Sequence, residues 1–317
     1  MNETPADLEK EHPPADDPFW QESWYFNFAD ADRNVYGLTR IGYRPYRNRA
    51  DGLLLASVNG RPALLYPALG KKLSSSAVAI RPPHQLRTGG LCFVCRSPME
   101  EWRLSLKTRR VDLELTYSCE TPPYFYPEVA METGPSAAAS HYEQAGRVSG
   151  RIRFGGTDLP VSGRGQRDHS WGPRHWAGVG SWTWISAQFE SGWAFNYWRL
   201  GSGPPEKTCG FIADNRATRD LAGGEIEWQG DLKGRRPSGA RMELVIADGS
   251  HKTIAFTAAA WWPLYKDGAM LTETFGVCSC DGEKGVGVIE RLFIPWLGPM
   301  ALIPHVPKMA AMALYSM

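Results

Sequence analysis

One stretch of this 317-residue chain concentrates charge, imidazole and indole: Gly163-Arg-Gly-Gln-Arg-Asp168-His169-Ser170-Trp171-Gly172-Pro173-Arg174-His175-Trp176. Asp168 beside His169 sets a carboxylate next to an imidazole, and either can give or take a proton once burial shifts its pKa. Glycines at 163, 165 and 172 predict a loop, between a strand ending near Val161 and another starting near Ser181. Loops on a β scaffold are where reactive groups are presented. The competing reading of the same residues is a buried ion network in which Asp168 anchors Arg167 or Arg174.

Downstream, Trp182-Thr-Trp184 puts two indoles on one strand face, and Gly192–Leu200 sets Trp193, Phe195 and Tyr197 on one face against Asn196 and Trp198 on the other. Taken together, Trp171, Arg174, Trp182, Trp184, Asn196 and Trp198 are the candidate wall of a cavity for an apolar ligand. Glu273 and Glu290 are charged residues in apolar strand-like runs, where a carboxyl is costly unless paired, so each is an alternative acid. Cys92 and Cys95 form a C-x-x-C in an extended run, which sends their side chains to opposite faces. Cys278 and Cys280 share a face but lack a second ligand pair, so no metal site is expected. The chain has no Gly-rich phosphate loop, G-x-S-x-G elbow, H-E-x-x-H or dinucleotide fingerprint, and no cofactor is expected.

The elements that must position these residues read as strands. Gly 33 and Pro 24 interrupt helices and mark frequent turns, and Trp 13 exceeds what a packed core ordinarily uses. Short apolar runs recur between turn signals, with Asn59-Gly60, Asp248-Gly249 and Asp281-Gly282 as hairpin turns. Two meanders of this length predict an all-β protein of two packed antiparallel barrels with little helix, divided near residue 175. Residues 1–18 read as a disordered acidic arm, 19–175 as the first β domain and 176–310 as the second. Met131–Ser140 reads as a loop or lid, and Pro307–Met317 as a terminal helix. Lys+Arg 35 against Asp+Glu 34, with no block of like charge, argues against nucleic acid as a partner. No apolar run is long enough to span a bilayer and the N-terminus is no secretion signal, so a cytoplasmic protein is expected.

Asp168-His169-Ser170-Trp171-Gly172 resembles the D-H-x-W-G signature of the AttH-like, carotenoid 1,2-hydratase (hydroxyneurosporene synthase) lipocalin-like family. Glu22-Ser-Trp-Tyr-Phe26 and Tyr142–Gly150 are similar to the same family, so the resemblance covers most of residues 20–300. It implies two lipocalin-like barrels enclosing a hydrophobic site near their junction. It also implies addition of water to isoprenoid double bonds, cyclisation of prenylated quinols or steering of pericyclic reactions, without redox cofactor or metal. His169 and Trp171 match the motif's His and Trp. The family's hydratases carry an acidic residue on the strand after the motif, to protonate the alkene. Here that strand reads Phe195-Asn196-Tyr197-Trp198, so the donor would be Asp168, Glu273 or Glu290. The expected function is a cofactor-independent hydratase or cyclase, a lyase or isomerase. Asp168 and His169 would be catalytic, and the substrate a hydrophobic isoprenoid- or steroid-like molecule. The alternative is a non-catalytic carrier of apolar metabolites using the same cavity.

Overall fold

The computed structural model describes residues 4–73, 84–127, 140–174, 180–201, 206–230 and 236–294, with scattered positions between 300 and 312. The first half forms α1 (Pro5–Leu8), β1 (Trp20–Asp30), β2 (Val35–Arg44), β3 (Arg49–Val58), β4 (Arg61–Lys72), β5 (Gln85–Thr88) and β6 (Leu91–Ser97). It continues with β7 (Glu101–Lys107), β8 (Val111–Cys119), β9 (Tyr124–Phe125), β10 (Ser140–Phe154) and β11 (Thr157–Pro173). The second half forms β12 (Ser181–Phe189), β13 (Ala194–Leu200), β14 (Lys207–Ala213), β15 (Thr218–Gly230), β16 (Pro237–Ile246), β17 (His251–Lys266), β18 (Ala269–Cys280) and β19 (Glu283–Phe293).

Strands β12 to β19 close into an eight-stranded barrel in sequence order, as an antiparallel meander must when consecutive strands pair. The earlier strands form one sheet of order β4-β3-β2-β1-β11-β10-β8-β7-β6-β5, with β9 beside β10. This sheet curls into a second barrel whose seam is bridged by tyrosines instead of a ladder. The Arg87 backbone N–H donates to Tyr43 Oη at 3.3 Å, and that of Gly90 donates to Tyr66 Oη at 2.8 Å. The expected all-β architecture of two packed barrels is therefore what the chain adopts. At the hairpins Asn59-Gly60 and Asp281-Gly282, both residues have positive φ, the conformation those residue types tolerate best.

Alternation along the strands builds three cores. Trp24, Phe26 and Phe28 of β1 point into the first barrel, and Ile185, Ala187 and Phe189 of β12 point into the second. The intervening side chains, including Tyr25 and Tyr36 from the first unit and Trp182, Trp184, Trp198 and Trp262 from the second, form a third core between them. Every residue of β1 is buried, because the strand has a core on each face. Trp262 Nε1 donates to Ser57 Oγ at 2.8 Å, and Arg44 pairs with Asp267 in the β17–β18 turn, so polar contacts also join the units.

Two sequence expectations are corrected here. The first is the disordered arm of residues 1–18. Residues 4–18 of it are among the described residues, and Thr4 caps α1 through a capping box with Asp7. Glu9, only 1% exposed, enters the first barrel, where its carboxylate meets the Arg167 guanidinium at 2.8 and 3.1 Å. Acidic composition argued for a solvated arm, but one carboxylate with a buried cation 158 residues away is enough to dock it. The second is the loop around Asp168. Those residues lie inside the 17-residue strand β11, paired with β1 on one side and β10 on the other. Glycine content suggested a loop, but Gly163 and Gly165 are there because a Cβ would sit 2.1 Å from the Ala29 carbonyl oxygen and 1.9 Å from that of Asn27. The Met131–Ser140 lid reaches the described residues only at Ser140, the domain division at residue 175 falls outside them, and most of the Pro307–Met317 helix does too. No helix among the described residues is long and apolar enough to cross a membrane.

Candidate active site

A cavity of about 560 Å³ lies between the two units, against the outer face of the first sheet. Strand register explains what lines it. On that face Glu143, Asp168, Tyr25, Arg40 and Leu53 form one cross-strand row over β10, β11, β1, β2 and β3, and all but the fully buried Glu143 line the cavity. Opposite, Trp198, Trp184, Glu290 and Glu273 form a row over β13, β12, β19 and β18. Leu38, Leu65, Leu264, Leu271 and Met309 make the rest of the wall largely apolar. An apolar cleft with a few convergent polar groups is the ordinary form of a small-molecule site.

The structure separates Asp168 from His169, because adjacent strand residues face opposite ways. Asp168 and Ser170 line the cavity. His169 is fully buried on the other face, stacked on Trp24 at 4.4 Å between ring centres. Its Nδ1 lies 2.9 Å from the Leu8 carbonyl oxygen, which can only accept, and its Nε2 lies 2.9 Å from Glu22 Oε1. A neutral ring therefore carries its proton on Nδ1 and turns Nε2, as an acceptor, toward the Glu22 carboxyl. Burial drives both groups that way, lowering the His169 pKa to about 4 and raising that of Glu22. Trp171 shares this face and stacks on His12 at 3.8 Å. The His and Trp of the signature thus hold the N-terminal segment and do not touch the cavity. His12, Glu22 and His169 bring three potential ligand atoms within 4.8 Å of one another. The spacing also suits the hydrogen bonds just described, since both rings meet the same carboxylate oxygen, at 2.8 and 2.9 Å.

Of the other expected site residues, Arg174, Trp182, Trp184, Trp198, Glu273 and Glu290 all line the cavity. Asn196 does not: it is fully buried, and its Oδ1 accepts from Tyr126 Oη at 2.5 Å. The three indoles are fixed by carboxylates. Trp182 Nε1 donates to Glu290 Oε1 at 2.6 Å, while Trp184 and Trp198 donate to Glu143 Oε1 at 3.0 and 3.1 Å. Glu143 also contacts His141 Nε2 at 2.8 Å and accepts from Gln166 Nε2 at 2.9 Å, so a carboxylate of the first unit orients the indoles of the second.

Burial raises the pKa of three acids that line the cavity, Asp168, Glu273 and Glu290. Asp168 is pushed up to about 6 by burial, with the Glu143 charge adding and His141, Arg174 and Arg40 opposing. Glu273 is raised well above the carboxylate range, first by burial and then by the adjacent Glu290. Glu290 is raised by burial, against the hydrogen bonds from Glu273 and the Trp182 indole. Two facing carboxyls in an apolar site resist losing both protons. Glu273 Oε2 is buried and has no hydrogen-bond partner among the described residues.

Tyr25, Arg40, His141, Glu143 and Lys266 were missed in the sequence. Tyr25 and Glu143 even lie in the segments Glu22–Phe26 and Tyr142–Gly150 that resemble the AttH-like family. Period-2 alternation from Asp168 marks the face, but only pairing of β1, β2 and β10 with one another or with β11 shows that these residues share it.

The fold is shared with solved structures. A protein provisionally assigned as AttH from Nitrosomonas europaea matches with a TM-score of 0.63 at 17% identity, over 89% of this chain and 95% of that one. CghA, solved alone and with Sch210972, matches at 0.62 and 14% identity, over 87% of this chain and 89% of that one. Kievitone hydratase from Nectria haematococca matches at 0.55 and 14% identity, with the same coverage of 87% and 89%. The AttH-like resemblance read in the sequence is borne out at the level of the fold. No curated protein sequence matches the chain. Residues 4–293 match the family described as a domain of unknown function, DUF7064, and the chain belongs to that family.

Proposed function

We propose that the protein is a hydratase- or cyclase-type enzyme, acting by acid catalysis on a hydrophobic isoprenoid- or steroid-like molecule held in the junction cavity. The observation that carries this reading is the facing Glu273–Glu290 pair, whose pKa values burial raises and which opens into an apolar, indole-lined space. Kievitone hydratase, which has this fold, is by its name a hydratase, and CghA holds Sch210972.

The chemistry follows from an acid and a wall. The Glu273 carboxyl transfers its proton to an alkene carbon, the π pair forms the new C–H bond, and a carbocation remains. Indole faces of Trp182, Trp184 and Trp198 stabilise that cation without capturing it. Water then adds to the cation and returns a proton to the carboxylate, for net hydration. In a cyclase an internal double bond or hydroxyl attacks instead, and the proton lost restores the acid. Asp168 is the second acid of the cavity, and His169 acts by position, holding the back of β11. No cofactor is needed for either outcome.

The test is turnover. Candidate terpenoids and steroids incubated with the protein should gain one water or change structure without changing mass, and Glu273→Gln should abolish the conversion. A carrier would bind the same compounds and return them unchanged in mass and structure, which would overturn the enzymatic reading.

A further inference from the structure

Four cations line the cavity: Arg40, Arg44, Arg174 and Lys266. Arg44 is committed, since Asp267 Oδ1 lies 3.1 Å from its Nη1 and Asp51 lies 3.6 Å from its Nε. Arg40 is different. Among the described residues its guanidinium makes no ion pair and no hydrogen bond. The nearest carboxylate along its row, Asp168, stands two strands away beyond Tyr25. Burial disfavours its charge and lowers its pKa, with Asp51 and Asp168 opposing from a distance. A guanidinium presents five N–H donors in a planar fork that matches a carboxylate, and a desolvated one without acceptors is costly.

The local sequence keeps this fork in place. Gly42, two residues along the same face of β2, has no side chain, and a Cβ there would lie 2.5 and 2.6 Å from Nη1 and Nη2 of Arg40. The guanidinium therefore lies over the Gly42 backbone, while Leu38, Leu53 and Leu65 continue the cavity wall around it in apolar material. At the edge of an apolar chamber, a fork without an acceptor among the described residues is placed to receive one from a ligand.

We infer that the ligand of this cavity is an amphipathic acid, whose apolar skeleton fills the chamber and whose carboxylate-type group docks on the Arg40 guanidinium. The inference rests on the junction cavity being the ligand site, as proposed above, and it narrows the substrate class. An anchor at Arg40 also fixes which end of the skeleton reaches the Glu273–Glu290 pair on the facing sheet.

Decanoate and decan-1-ol, which share an apolar chain and differ in charge, are titrated against the full chain, with binding read by calorimetry and by quenching of tryptophan fluorescence. The wild type should bind decanoate at least about tenfold more tightly than the alcohol. Arg40→Gln should remove that preference while leaving alcohol affinity unchanged, and Arg40→Lys should restore part of it. Gly42→Ala leaves the guanidinium present but displaces it, so it should also weaken decanoate selectively. Equal binding of acid and alcohol by the wild type, or a preference that survives Arg40→Gln, would overturn the inference and leave the cavity reading intact. Binding of neither probe would defeat the cavity reading itself, and the inference with it.

Discussion

Glu273 and Glu290 are direct cross-strand partners in β18 and β19, and both side chains line the junction cavity. Like charges set opposite each other in an apolar site cannot both ionise, so the pair retains a proton. Glu273→Gln keeps the shape and removes the acid. Turnover should fall by roughly 10²–10⁴-fold, the usual worth of a general acid. For a carboxyl whose folded pKa is raised, the native state holds more protons between the unfolded and folded pKa values, so stability declines as pH rises through that window. The neutral amide escapes this penalty, and the variant should melt higher than the wild type at pH 7. Differential scanning calorimetry beside turnover reads both effects, and a destabilised but active variant would remove Glu273 from the mechanism.

The pH profile separates the two acids. If Asp168, at about 6, were the donor, kcat/KM would fall above pH 6 as it ionised. Donation from the Glu273–Glu290 pair should hold kcat/KM level through pH 7, because that proton is bound more firmly. Trp182→Phe refines the assignment. Its indole N–H, 2.6 Å from Glu290 Oε1, favours the carboxylate form, so its loss should move the descending limb up by about one pH unit. An unmoved limb would mean that Glu290 does not take part in the titration that governs rate.

His169 makes a stability prediction of the opposite sign. Its folded pKa of about 4 lies below the ordinary 6.5, so the unfolded chain binds more protons between these values. Stability from the buried neutral ring is complete above pH 6.5 and is lost as pH falls toward 4, by an amount on the order of 3 kcal/mol. Urea unfolding at pH 7 and pH 4.5 should show the wild type losing more stability on acidification than His169→Gln. Parallel losses in the two proteins would mean that His169 is not the neutral, buried group described.

How much of this was legible in the sequence depended on range. Alternation within one strand identified the Trp182, Trp184 and Trp198 faces and the odd placement of Glu273 and Glu290, because period-2 patterning is local. What a strand pairs with is not local. Asp168 and His169 look like one catalytic unit in sequence, yet the pleat sends one to the cavity and the other to the N-terminal segment. Arg40 and Tyr25 reach Asp168 only through the β2-β1-β11 order, which closes over more than a hundred residues. Asn196 shares a strand face with Trp198 but stands one pair further along, where Tyr126 covers it.

The N-terminal segment shows the same dependence on range, and it yields the last prediction. Glu9 offers its carboxylate to Arg167 and also accepts from Tyr142 Oη at 2.8 Å and the Met99 backbone N–H at 2.9 Å. Burial opposes the charge on Arg167, and Glu9, Tyr142 and Cys119 together outweigh it, so the guanidinium is held more firmly protonated than usual. Removing one member of a buried pair leaves the other charge uncompensated. Glu9→Gln should therefore cost about 3–5 kcal/mol in urea unfolding, and Glu9→Gln combined with Arg167→Gln should cost less than the two single changes summed. Arg167 immediately precedes Asp168 on β11, so the segment braces the strand that presents the cavity acid from behind. Proteolysis after residue 12 should accelerate in Glu9→Gln. Turnover should drop with it, because a loosened β11 no longer holds Asp168 and Ser170 in the cavity wall. Strictly additive losses, or a freely cleaved segment with unchanged activity, would show that this buried pair serves neither the stability nor the site of the protein.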